Sequence, residues 1–220
     1  MPVTGSLNWP LMSNLDRSHR LFKLEQEFYA QPAIDLAPAL IGKTIVRQAG
    51  QKTLRARIVE TEAYVGAHDL ACHASKGRTG RTEVMFGLAG RAYVYLIYGM
   101  YDMFNIVAGQ IDDPQAVLIR AAEPLDAWSV DLSGPGKLAR GLQITRADNS
   151  LALTSDQLYL SDDPTDRPHV ISTPRIGIDY AQEWKYELLR FIDPVSKSLS
   201  SKLGLEHGLP RINKPRGRPR

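Results

Sequence analysis

The sequence has 220 residues, 43% of them apolar, and its 27 Lys and Arg against 24 Asp and Glu leave a net charge of +3. That size and apolar share suit one domain with a substantial core, and the mild basicity is compatible with a nucleic-acid partner without requiring one. Cys72 is the single cysteine, which excludes an internal disulfide and a cysteine metal cage. No stretch reaches the ~20 apolar residues of a membrane helix. The first residues lack the cationic and then apolar pattern of a signal peptide, so an intracellular protein is expected, cytoplasmic or at the nucleoid if bacterial.

Residues 1–17 are polar, broken by Pro10, and expected to form a flexible segment. Residues 19–30 fit a helix with Leu21, Phe22, Leu24 and Phe28 inward. Residues 34–41 fit a second helix ending at Gly42, where glycine can take the left-handed cap. Pro38 sits badly inside it and is read as marking its first turn. Residues 43–47 and 53–64 read as strands joined by a turn at 49–52. Residues 66–90 are rich in glycine and charge and are long for a plain connection; long ordered loops are often functional.

Residues 92–98 and 101–108 read as a hairpin with its tight turn at Gly99 and Met100. Residues 116–122 form another expected strand, and 124–130 an expected helix. Gly134-Pro135-Gly136-Lys137 opens a helix reaching about 142, with proline at the favoured first position. Residues 156–161 and 169–178 read as later strands, and 181–189 as helical. Hairpins outnumber strand-helix-strand units. The expected fold class is therefore α/β of the α+β type: a single domain over 18–195 with a curved, mainly antiparallel sheet, flanking helices and a protruding β-hairpin. The proline-rich, cationic residues 196–220 are expected to be a disordered basic tail.

Residues 57–106 concentrate the chemistry. Side chains alternate along a strand, so Glu60, Glu62 and Tyr64 share one face. Two carboxylates on one face repel if both are ionised. Tyr93 and Tyr95 share a face of the hairpin, and Tyr98 lies at its turn. The loop between carries His68, His73, Lys76, Arg78 and Arg81. An acid, a set of flat rings and a cluster of cations suit a flat aromatic group attached to an anionic one. Lys76, Arg78, Arg81 and the helix start at Gly136 and Lys137 are candidate phosphate contacts. Neither His68 nor His73 has partners at zinc spacing, so no metal site and no cofactor are expected.

The words RIVETEAYVG, CHASKGRTGR, MFGLAGRAYVYLIYGMY and FNIV, followed by VLIRAAEP, SGPGKLARGLQIT and RIGIDYAQEW, together resemble the alkyladenine (3-methyladenine) DNA glycosylase family from about residue 36 to 191. The resemblance implies an enzyme that flips a damaged purine out of duplex DNA and hydrolyses its N-glycosidic bond. Glu62 matches the family's water-activating glutamate, and Arg120 a cation beside it. Tyr64 and Tyr95 match its base-stacking rings, and His73 its pocket histidine. Ala71 falls among the base contacts. Asn105 matches the asparagine that rejects unmodified guanine. Tyr98 matches the wedge that fills the gap left by the flipped nucleotide, with Met100 beside it on the DNA. Gly80, Thr82, Asp102, Gln143 and Asp179 depart from the family pattern, which bears on DNA affinity and damage preference. The expected partner is double-stranded DNA containing damaged purines, bound by a monomer without a membrane. No lysine falls in the matching pocket words, so a Schiff-base mechanism is not expected.

Two other readings stay open on residues alone. A non-catalytic nucleic-acid module would use the tyrosines as stacking platforms. A nucleoside or glycoside hydrolase would use Glu60 and Glu62 as a pair, since same-face neighbours on a strand stand roughly 6–7 Å apart.

Overall fold

A computed structural model of the chain describes residues 22–126 and 128–201. The segment expected at 1–17, and the part of the expected tail beyond 201, lie outside the described residues. Among those described, nine strands form one sheet and every named strand pair is antiparallel. Strands β1 (Phe22–Lys23), β2 (Thr44–Ala49), β3 (Lys52–Tyr64), β4 (Ala92–Ile97), β5 (Tyr101–Ala108), β6 (Gln115–Pro124) and β7 (Leu158–Asp162) lie in the order β1-β7-β2-β3-β6-β5-β4. Strand β8 (Ile171–Thr173) pairs with β9 (Arg190–Ile192), which in turn pairs with β3. The helices are short: α1 (Gln26–Tyr29), α2 (Ala33–Ala39) and α3 (Pro135–Gly141). This is the expected single α+β domain with an antiparallel sheet and a β4–β5 hairpin.

Strand β3 organises the sheet. In its first half burial alternates, with Leu54 and Ala56 inward and Thr53 and Arg55 outward. From Ile58 to Ala63 every residue is buried, because β6 flanks one side, β9 the other, and both faces are covered. Tyr29, Leu36, Leu40, Ile45, Phe104, Ile106, Ile119 and Leu138 make the core on the helix-covered face.

Several elements differ from expectation, each for a tertiary reason. In place of a helix over 19–30, Phe22 and Lys23 pair with Asp162 and Ser161, the Leu24 amide bonds Leu160, and only Gln26–Tyr29 is helical. Phe22 is consequently exposed, not inward. Pro38 sits near the end of α2, not in its first turn, and the helix stops one residue later. Gly42 does take the left-handed conformation, at φ 86°. No helix forms over 124–126 or 128–130: β6 runs to Pro124, and the next residues stay on the sheet because the Leu125 amide bonds Arg55 O and Asp126 pairs with the Arg55 side chain. The strand expected over 169–178 shrinks to β8, and its remainder becomes a loop. The helix expected over 181–189 is a 3-10 segment at Asp179–Lys185, interrupted at Gln182 (φ 52°), followed by the unforeseen β9.

Candidate active site

The pairing of β3 with β6 slips twice. Ile58 faces Ala122 and Glu60 faces Ala121, whereas Thr61 faces Ile119 and Glu62 faces Leu118. Val59 and Arg120 are therefore the extra residues of two bulges, and bulges re-aim side chains beside sites. From that position Arg120 reaches both acids. Its Nε donates to Glu60 Oε1 at 3.0 Å and its Nη1 to Glu62 Oε2 at 3.2 Å.

The two acids, alike in sequence, are held differently. Both are fully buried. Glu60 also accepts from Arg190 Nε at 2.7 Å, from the Ser200 amide at 2.6 Å and from Ser200 Oγ at 2.7 Å. Burial works to raise its pKa, but Arg120, Arg190 and Ser200 together hold the carboxyl below its ordinary value. Glu60 is a fixed structural anion. Glu62 Oε2 accepts from the Tyr64 hydroxyl at 2.9 Å as well as from Arg120, and Oε1 accepts from the Ile176 amide at 2.8 Å. The repulsion expected between same-face carboxylates is offset by Arg120 and Arg190.

In front of Glu62 lies an open cavity. Its lining includes Tyr64, Ala71, His73, Tyr95, Asn105 and Arg120, the residues that the sequence reading had assigned to base binding together with the catalytic cation. Glu62 itself lies behind this wall, reached through its bonds to Tyr64 and Arg120. The His73 and Tyr95 ring centroids are 4.6 Å apart at an interplanar angle of 72°. His73 Nδ1 is 2.9 Å from the Tyr93 hydroxyl, so the buried Tyr93 also orients the histidine. Burial, helped by Arg81, lowers the His73 pKa to about 4, so the ring is neutral at pH 7. Burial raises the Tyr64 and Tyr95 hydroxyls above their ordinary value and takes Tyr93 to about 12, so all three remain protonated. The Asn105 amide nitrogen is committed to Tyr93 O at 3.1 Å and Met103 O at 3.3 Å. The cavity thus presents uncharged flat rings beside the Arg120 guanidinium, with the Glu62 carboxyl behind them.

The other predicted residues lie outside the cavity lining. Tyr98 is 82% exposed at the hairpin tip, with a φ of 52° that is unusual for a bulky residue, and Met100 beside it is exposed too. Lys76 is exposed at the end of a 3-10 turn, His73–Lys76. Arg78 is paired with Glu83 at 2.8 Å and Asp112 at 3.1 Å, and Lys137 with Asp131 at 2.7 Å. Arg81 places its guanidinium 4.7 Å from the Tyr95 ring centroid, a role not foreseen from sequence. Gly136 allows a close approach: a Cβ there would lie 3.0 Å from the Tyr101 ring. Among the departures from the family pattern, Thr82 closes its loop by hydrogen bonds to the Thr79 amide and Gly77 O, and Asp102 pairs with Arg146 at 3.3 Å.

Sequence reasoning missed Ile176, Gly177, Ile178 and Tyr180, which line the cavity, Arg190 and Ser200, which bond Glu60, and Arg175, which holds Asp69. The word RIGIDYAQEW had pointed at the first group, but an extended strand was expected there instead of a loop. Cys72 is buried, and burial takes its thiol up to about 11, which leaves it a packing residue.

The family model described as methylpurine-DNA glycosylase matches residues 27–197. A protein of Methanocella arvoryzae is 45% identical over 193 residues, covering 81% of this chain and 96% of the relative. One of Myxococcus xanthus is 48% identical over 170 residues, covering 76% and 88%. One of Legionella pneumophila strain Corby is 48% identical over 171 residues, covering 77% and 93%. Each is named "Putative 3-methyladenine DNA glycosylase".

Proposed function

The chain belongs to the methylpurine-DNA glycosylase family and is a DNA glycosylase of the 3-methyladenine type, and we propose that Glu62 is its general base, acting on a damaged purine flipped from duplex DNA into the Tyr64/Tyr95/His73 cavity. The observation that carries this is the setting of Glu62: a buried carboxylate held by three donors directly behind a cavity of neutral rings. An ionised carboxylate has about four acceptor directions. Oε2 uses two and Oε1 one, which leaves Oε1 a direction for water.

The chemistry follows. Glu62 takes a proton from that water, whose oxygen attacks the sugar C1′. The N-glycosidic bond breaks and its electron pair leaves with the base. A cationic alkylated purine departs neutral and needs no further proton. Arg120 and the Ile176 amide fix the direction of the Glu62 carboxyl for that transfer. Flipping costs a few kcal/mol of lost stacking and pairing. Stacking on an aromatic side chain contributes about 1–3 kcal/mol in return, and Tyr98 supplies a wedge at the vacated position. Among the described residues no lysine lines the cavity, which favours direct hydrolysis over a Schiff base and leaves an intact strand with an abasic site. The enzyme acts as a monomer on duplex DNA and opens base excision repair.

The rival readings fare worse on the same geometry. A stacking module has no use for a buried carboxylate, which repels phosphate. A Glu60–Glu62 acid/base pair is disfavoured because Glu60 already accepts from Arg120, Arg190 and twice from Ser200. The test is base release from alkylated duplex DNA compared with the matching free nucleosides. Release from duplex alone is expected. Release from nucleosides only, or from neither, would refute the proposal.

A further inference from the structure

Behind Tyr64 lies an ion pair that the catalytic scheme does not use. Arg175 is buried and grips Asp69 with both terminal nitrogens, at 2.5 and 2.9 Å, and its Nη1 also donates to Ala63 O at 2.9 Å. Its guanidinium carbon stands 4.9 Å from the Tyr64 ring centroid. Tyr64 lines the cavity and Arg175 does not, so the cation meets the ring from outside the cavity lining. Burying a guanidinium is costly, and this one leaves its Nε without a hydrogen-bond partner. Its own bonds therefore do not fully account for its burial.

We infer that Arg175, locked by Asp69, is a positioning residue for the general base, acting on Glu62 by two routes at once. The inference rests on the proposed role of Glu62. The first route runs through the ring: Arg175 fixes Tyr64 by a cation–π contact, and the Tyr64 hydroxyl donates to Glu62 Oε2. The second runs through the chain: the next residue, Ile176, donates its amide to Glu62 Oε1. Two of the three donors on the carboxylate thus depend on where Arg175 sits. The third, Arg120, is anchored separately by Glu60. Asp69 extends the brace to the cavity's other wall, since it also accepts from the Val65 and Ala71 amides. One ion pair therefore sets the orientation of the stacking ring, the loop at 174–178 and the base contact Ala71.

The consequence is visible in pH dependence. Glu62 is faced by Arg120 and Tyr64 directly, with Glu60 beyond Arg120 and with Tyr95, Tyr180 and Arg175 farther off. A general base must be ionised, so release falls on the acid side as the carboxylate takes up a proton. Donors to a carboxylate favour its charged form. Losing two well-placed donors shifts that acidic limb to higher pH, whereas a purely structural loss lowers the active fraction and leaves the limb where it was.

The experiment is single-turnover base release from a duplex carrying one methylated purine, measured across pH. The proteins are wild type, Arg175→Met, Arg175→Lys, Tyr64→Phe, the Arg175→Met/Tyr64→Phe double variant and Glu62→Gln, with melting temperatures recorded for each. Arg175→Met is expected to slow release by ~10²-fold at neutral pH and to move the acidic limb to higher pH. Tyr64→Phe is expected to move it the same way, and Arg175→Met to move it less in the Tyr64→Phe background. A folded Arg175→Met protein with an unmoved limb overturns the inference, whatever its rate. If that variant does not fold, Arg175→Lys carries the test. It keeps the charge but loses the planar two-pronged grip, and an unmoved limb there is equally decisive. Full activity in Glu62→Gln would instead bring down the general-base reading itself. An inactive Glu62→Gln beside unmoved Arg175 variants would keep that reading and remove only this inference.

Discussion

Ser200 gives both its backbone amide and its hydroxyl to Glu60, at 2.6 and 2.7 Å, from a point 140 residues further along the chain. The segment just after β9 therefore belongs to the bracing of the site. The expected tail was drawn from 196, yet Ser196 already bonds Glu123 and Ser200 bonds Glu60. A chain ended at residue 195 should lose these bonds, melt at a lower temperature and release base more slowly than a chain ended at 201. Glu60→Gln should resemble the shorter truncation, because it leaves buried Arg190 without its anion and Arg120 with Glu62 alone; breaking a buried pair typically costs about 3–5 kcal/mol. The pH sign follows from its lowered pKa: the unfolded carboxyl takes up a proton near 4.5 and the folded one only below that, so the contribution of Glu60 is present above 4.5 and lost as pH falls through the folded value. Calorimetry across pH on the two truncations and Glu60→Gln, beside single-turnover base release, checks these statements.

His73 gives a second pH dependence. Unfolded, the ring titrates near 6.5; folded, burial and Arg81 lower this to about 4. Between those values the unfolded chain holds the extra proton, so the folded state loses stability as pH drops from about 6.5 to about 4. Denaturant titrations at several pH values should show a shallower decline for His73→Gln over this window. An unchanged slope would place the titration elsewhere.

The candidate phosphate-binding cations should not contribute equally to DNA binding. Each phosphate contact adds about 0.9 to the salt slope of log affinity. Arg78 and Lys137 are already neutralised by Glu83, Asp112 and Asp131. Removing either exposes a carboxylate to the phosphates. Lys76→Ala should therefore lower the slope by about one contact, with Arg78→Ala and Lys137→Ala weakening binding largely through that released repulsion. Arg81→Ala should act mainly on the cavity, through the Tyr95 ring it stacks on. Binding titrations on undamaged duplex at several salt concentrations resolve these cases, and a flat dependence would count against DNA as the partner.

Tyr98 should separate flipping from bond cleavage. It is an exposed ring at the hairpin tip, outside the Glu62 hydrogen-bond network. Tyr98→Ala should slow release strongly from a well-paired lesion and little from a mismatched or single-stranded one, where less stacking is broken. Tyr95→Ala should weaken all three alike. Single-turnover release in the three contexts is the measurement, and equal losses for Tyr98→Ala would remove it as a wedge.

Much of this site was legible in the sequence because its parts are local. Alternation along β3 placed Glu60, Glu62 and Tyr64 together, and the glycine turn between two alternating runs revealed the β4–β5 hairpin. Arg120 was found by resemblance, since its aim depends on a bulge that simple alternation does not encode. What stayed hidden is non-local or carried by backbone. Arg190 and Ser200 meet Glu60 across 130 and 140 residues of chain. The Ile176 amide that holds Glu62 leaves no side-chain signature at all. Residues 124–130 read as helical by local pattern, but pairing of the chain with Arg55 on β3 prevailed in the described part of that stretch.

The central claim is that Glu62 activates water while the rings hold the base. Glu62→Gln keeps the side chain's size and removes its capacity as a base. Single-turnover release from a duplex with one methylated purine, measured beside binding to the same duplex, tests it most directly. The account predicts that binding persists while release falls by ~10²–10⁴ or more. Release near the wild-type rate from Glu62→Gln, or an equal loss from a correctly folded Glu60→Gln, would contradict it.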